Sequence, residues 1–241
     1  MASLLAALLA SAAVASGAGA PAARSHACSA VSASRAAALR VRHVAHGDVD
    51  GDGRPDAAWI GVGRTRRVAC RFFLAVRTAR GTFTVRFGRL PPETWGGPPP
   101  ALAALAQIDG RRGREVAVEV WRGASTSFLA IFGFHGGRLI RFRHAGPVAS
   151  TRREDVFLAG GPVDIATGLE CDPRRPGVLV QKALLSGERP PSRAIEERYL
   201  FAGGRFRLIG RRVRSLSPAR AERYELGFFD GCSPLFTRDR M

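Results

Sequence analysis

One strand pattern occurs three times in this chain, and that repetition constrains the fold more than any other feature. Asp56-Ala-Ala-Trp-Ile-Gly-Val leads to Cys70-Arg-Phe-Phe-Leu-Ala-Val and then to Gly81-Thr-Phe-Thr-Val-Arg-Phe. Glu115-Val-Ala-Val-Glu-Val leads to Ser127-Phe-Leu-Ala-Ile-Phe and then to Gly137-Arg-Leu-Ile-Arg-Phe. Gly177-Val-Leu-Val-Gln-Lys leads to Glu197-Arg-Tyr-Leu-Phe and then to Gly204-Arg-Phe-Arg-Leu-Ile. The turns before the last strands, Ala79-Arg80-Gly81, His135-Gly136-Gly137 and Ala202-Gly203-Gly204, place glycine where hairpins need positive φ. The last strands alternate with period two, which packs one face and solvates the other. A further strand precedes each copy, over Val41–His46, Leu102–Ile108 and Val163–Leu169.

The pattern predicts an all-β fold of about three four-stranded antiparallel blades, an incomplete β-propeller with units at 41–88, 101–143 and 163–210. An ordinary antiparallel sandwich is the alternative. Pro91-Pro92 and Pro98-Pro99-Pro100 read as one inter-blade loop, and Thr151–Glu154 with Gly160-Gly161-Pro162 as the next. With no true linker between them, residues 28–241 form a single domain. Ser217-Pro218 opens a short C-terminal helix, serine as cap and proline in the first turn, within a lid over 215–241. Phe228 and Phe229 then either pack under that lid or form an exposed binding patch. Three units leave open sheet edges. The segments Cys28–Arg40 and Ser217–Met241 are expected to cover them, giving a monomer.

The most specific segment is Gly47-Asp48-Val49-Asp50-Gly51-Asp52-Gly53-Arg54-Pro55-Asp56. It sets carboxylates at loop positions 1, 3, 5 and 9 with glycine at 6, an arrangement that turns hard oxygens inward around Ca²⁺. Asp48, Asp50, Asp52 and Asp56 are the candidate ligands, and the Arg54 carbonyl at position 7 supplies a fifth. An EF-hand needs glutamate at position 12, where this chain has Trp59, and flanking helices where it has a strand. A loop of this kind followed by a short apolar strand resembles an FG-GAP or VCBS repeat, found in integrin-type β-propellers and exported bacterial proteins. The resemblance is strong over residues 41–62 and weaker beyond. It implies a blade whose calcium loop joins its first two strands, in a protein used for adhesion, recognition or an accessory role.

The other copies depart from the pattern. Asp109 and Glu115 keep positions 3 and 9, while Gln107 and Arg111 replace the acids at 1 and 5 and Arg112 the glycine at 6. No calcium is expected there; instead the Arg111 guanidinium should stand in for the cation and hydrogen-bond Asp109 or Glu115. In the third copy Leu169, Cys171, Pro173 and Gly177 fill the four acid positions, so no site survives.

Leu4–Val14 is an apolar run too short for a bilayer span, which needs about 20 residues, but suited to a signal peptide over 1–20. Its start lacks Lys or Arg, a departure from the usual pattern. The reading is a secreted, extracytoplasmic chain without a transmembrane segment. Cys28, Cys70, Cys171 and Cys232 are then expected in disulfides, with three connectivities open. Cys28–Cys70 and Cys171–Cys232 are favoured, because each ties one chain end to the nearest strand layer. The net charge of +17 does not mark a nucleic-acid binder. Lys182 is the only lysine and asparagine is absent, a balance that GC-rich coding produces, and the arginines are dispersed from Arg24 to Arg240.

No G-x-S-x-G elbow, H-E-x-x-H pair or phosphate loop is present. His43 and His46 would point to opposite faces of a strand, as would Glu196 and Glu197, while His135 and His144 read as solvated loop residues. The expectation is a non-catalytic interaction or adhesion-type module with a cell-surface, matrix or polymer ligand. The competing classes are a secreted hydrolase with an unrecognised site and a purely structural envelope protein.

Overall fold

The computed structural model describes residues 44–64, 70–90, 100–145, 155–162, 164–186 and 191–232. The expected signal peptide, His43, and the Cys28–Arg40 and Cys28–Cys70 expectations fall outside the described residues. Strands dominate, and the chain is all-β with one short helix. Among the described residues no helix is long and apolar enough to cross a membrane.

The first sheet is an antiparallel meander of β1 (Val44–Gly47), β2 (Asp56–Arg64), β3 (Cys70–Thr78) and β4 (Gly81–Leu90). A second meander follows in β5 (Ala101–Ala106), β6 (Glu115–Arg122), β7 (Thr126–His135) and β8 (Arg138–Arg141). After β9 (Arg143–Ala145) and β10 (Phe157–Gly160) comes a third, in β11 (Ile165–Cys171), β12 (Val178–Leu185), β13 (Ser192–Ala202) and β14 (Arg205–Leu216). Helix α1 (Pro218–Ala221) and β15 (Phe228–Asp230) close the described chain.

These sheets do not form a propeller. The stretch read from sequence as an inter-blade loop contains β10, which pairs with β7 through Leu129–Thr126 and with β11 at Gly160–Thr167. That link, with the parallel pairs β9–β14 and β11–β15, joins everything from β5 onward (residues 101–230) into one mixed eleven-stranded sheet. Propeller blades need separate sheets, and here hydrogen bonds run from one unit into the next.

Side-chain alternation stacks the units instead. Val116, Val118, Ala130 and Phe132 join Ala58, Phe72, Leu74 and Val76 in one core. The opposite face of the same strands sends Ala117, Leu129 and Ile131 into a second core with Leu169, Leu179, Tyr199 and Phe206. The middle unit is therefore buried on both faces, which is why Val116-Ala-Val and Leu129-Ala-Ile-Phe are unbroken apolar runs. The tail docks where β15 pairs with β11, next to the Cys171–Cys232 disulfide. Phe229 is fully buried in the second core, so the pair is not an exposed aromatic patch, and only Phe228 stays partly exposed. Ser217 holds the N-cap position with proline next, though its side chain makes no capping bond.

The loops between the first two strands of each unit abut at one end of the stack. Gly51 and Gly110, both at the fourth loop position, have φ of 80° and 75°. A Cβ on Gly51 would meet the Arg112 carbonyl oxygen at 2.8 Å, and one on Gly110 the Gly177 nitrogen at 2.7 Å. Glycine thus serves the turn and the close approach of neighbouring loops.

Candidate metal centre

The loop from Asp48 to Asp56 is organised by its own carboxylates. Asp48 accepts from the backbone N–H of Gly51 at 2.7 Å and of Gly53 at 2.9 Å, one oxygen for each. Asp50 accepts from Asp52 N–H at 3.2 Å, and Asp52 from Arg54 N–H at 2.8 Å. Asp56, at the start of β2, reaches back to accept from Val49 N–H at 2.8 Å and Asp50 N–H at 3.1 Å. Oxygens of Asp48, Asp50 and Asp56 all lie within 4.8 Å of one another. Asp52 and the exposed Arg54 lie outside that cluster.

Asp56 is 2% exposed, and its Oδ1 is buried with no hydrogen-bond partner. Burial, with a smaller repulsion from Asp50 and Asp52, pushes its carboxyl above the usual aspartate range. An unpaired buried carboxylate oxygen is costly, and a hard cation that collects carboxylate oxygens would relieve it. The donor set is all oxygen, which suits calcium or magnesium better than zinc or copper.

A cation already touches this loop. Arg80, in the β3–β4 turn, donates to Asp50 Oδ2 from Nε at 3.1 Å and Nη2 at 2.8 Å. Its guanidinium also lies over the Phe134 ring. Nothing in the spacing of the sequence pairs residues 50 and 80; the signal was only that a hairpin turn carried an arginine.

The second loop repeats the first with different chemistry. Glu115 accepts from Ile108 N–H at 2.6 Å and Asp109 N–H at 3.0 Å, the same two loop positions that Asp56 serves. Asp109 accepts from Arg111 N–H at 2.8 Å as Asp50 accepts from Asp52. The expected guanidinium stand-in is absent: Arg111 Nε is 4.0 Å from Asp109, beyond a hydrogen bond, and Nη1 contacts His135 Nδ1 at 3.0 Å. The side chain leans over Phe201 because that ring and His135 offer contact on the exposed side. Charge is relieved instead by a proton. Burial, then repulsion from Asp109, pushes the Glu115 carboxyl up to about 8.

The third loop carries no acidic cluster. Leu169 is buried in the core, Cys171 is in the disulfide, and Asp172 pairs with Arg198 at 2.7 Å. Elsewhere, His46 is exposed. His144 is not a solvated loop residue: its ring stacks on Phe157 and meets Tyr199 edge-on, and burial lowers its pKa to about 4. Glu197 is fully buried, bonded by the Tyr199 hydroxyl and paired with Arg211, while Glu196 on the other face pairs with Arg214.

No family model, curated protein or solved structure matches this chain.

Proposed function

We propose that this is an exported, calcium-binding protein with FG-GAP or VCBS-type loops, acting as a non-catalytic interaction module for a cell-surface, matrix or polymer partner. The observation that carries the reading is Asp56 Oδ1, a buried oxygen without a partner beside the carboxylates of Asp48 and Asp50. In this reading those three acids grip the ion, and Asp52 and the Arg54 carbonyl complete its shell. The Cys171–Cys232 disulfide supports an oxidising compartment.

Thermal melts and titration calorimetry test it. Calcium should raise the melting midpoint and chelator lower it, with about 2.7 kcal/mol gained at a hundredfold excess over Kd. Asp56→Asn should lose the calcium response. Equal midpoints in calcium and chelator, with no heat of binding at about millimolar calcium, would remove the metal from the proposal.

A further inference from the structure

An open cleft of about 440 Å³ lies between the first and second loops. The first loop contributes Asp48 and Asp52 to its lining, the second Gln107, Arg112 and Arg114, and glycines supply the rest. Among the described residues neither Arg112 nor Arg114 has an ion-pair or side-chain hydrogen-bond partner, although two acids line the same cleft. Arg114 runs along Gly47, where an added Cβ would meet its Nη1 at 3.1 Å, so a positive group sits beside the entry to the acidic loop. Opposite charges that share one cleft without pairing are suited to a ligand that brings an anionic group to the arginines and further oxygens to a cation held by the acids.

The lining contains only Asp, Gly, Gln and Arg. Small-molecule sites are ordinarily lined by aliphatic and aromatic side chains, and this cleft has none, which favours a ligand rich in polar groups. An apolar peptide side chain would find no aliphatic or aromatic partner here. A sugar acid brings hydroxyls for the aspartate oxygens and glycine backbone, and a carboxylate that matches the planar guanidinium fork.

We propose that the cleft binds a uronic-acid unit of an acidic polysaccharide, its carboxylate on Arg112 and Arg114 and its other oxygens toward the loop-held cation. This rests on the calcium reading above and assigns the partner class to the same site. The test is calorimetric titration of the full chain with tri-galacturonate at about 0.15 M salt, which screens the diffuse positive charge. Parallel runs use chelator, neutral galactotriose and triglutamate. Saturable binding that needs calcium, is absent with galactotriose and triglutamate, and falls about tenfold or more in Arg112→Gln/Arg114→Gln supports the assignment. That variant should keep the wild-type fold and still bind calcium, no more weakly than wild type, and Arg212→Gln, the same charge lost from an exposed position of the third unit, should bind normally. Calcium binding without tri-galacturonate binding overturns the inference and leaves the metal reading intact. Equal binding in chelator, equal binding of triglutamate, or an equal loss in Arg212→Gln also overturns it. No calcium heat at all would fail the metal reading itself.

Discussion

Loops 48–56 and 107–115 share a backbone plan and differ in how buried negative charge is answered. In each, the ninth-position carboxylate is a strut that accepts the N–H groups of the second and third loop residues. Loop 48–56 keeps an unpaired oxygen and three converging acids, with Arg80 at the rim. Loop 107–115 has two acids, a proton held by Glu115 and an arginine turned aside to His135. The strut is thus common to both loops, and the proposed cation site is an addition built on the acids at positions 1 and 3. With Gln107 in place of the position-1 acid, the loop keeps its shape and has one carboxylate fewer.

Removing the struts should have the largest effect. Asp56→Ala and Glu115→Ala each leave two N–H groups without their acceptor, at about 1–3 kcal/mol for each buried one. Urea denaturation in chelator should show similar losses for both variants, and only Glu115→Ala should keep the stabilisation by calcium. If Glu115→Ala loses less than about 1 kcal/mol, the strut is not shared.

The proton comes next. Folded Glu115 keeps its proton to pH about 8, whereas the unfolded chain releases it near 4.5. The associated stability is full below about pH 4.5 and falls as pH rises through 8, by at most about 1.4 kcal/mol per unit. Asp109, Arg111 and His135 are the charged or titratable groups around the pair. Glu115→Gln, which carries no titratable proton, should flatten this slope. Parallel profiles for wild type and Glu115→Gln from about pH 5 to 8 would show that the second loop holds no such proton.

The smallest stability effect belongs to Arg80→Gln. The Arg80 side chain is 55% exposed, so its ion pair with Asp50 should contribute under about 1 kcal/mol. Calcium affinity should nevertheless rise severalfold, because a guanidinium that repels the ion and competes for Asp50 is gone. A weaker affinity would mean instead that Arg80 positions Asp50 for the metal.

The all-β class, the strand copies and the acidic loop were legible because they are local. Alternation, glycine turns and carboxylate spacing are set within about ten residues. The short helix at Pro218 was legible because proline suits a first helical turn, and the Cys171–Cys232 bridge was the favoured pairing of Cys232 among three open connectivities. Gly160-Gly161-Pro162 reads as a loop from composition, yet Gly160 ends a strand that pairs on both sides. The neighbouring edges decide that, and they lie far away in sequence.

What the sequence determined by itself was the chemistry each segment carries: apolar strands, oxygen donors at alternating positions, and a second loop stripped of two acids. Tertiary structure alone decided how those segments meet. It turned three expected blades into stacked layers, because β10 carries hydrogen bonds from the second unit to the third. It brought Arg80 to Asp50 and set Arg112 and Arg114 in one cleft with Asp48 and Asp52. It also turned Arg111 toward His135 rather than its own acids. Charge matching says which groups can pair, but burial and distance choose among partners, and both are properties of the packed chain.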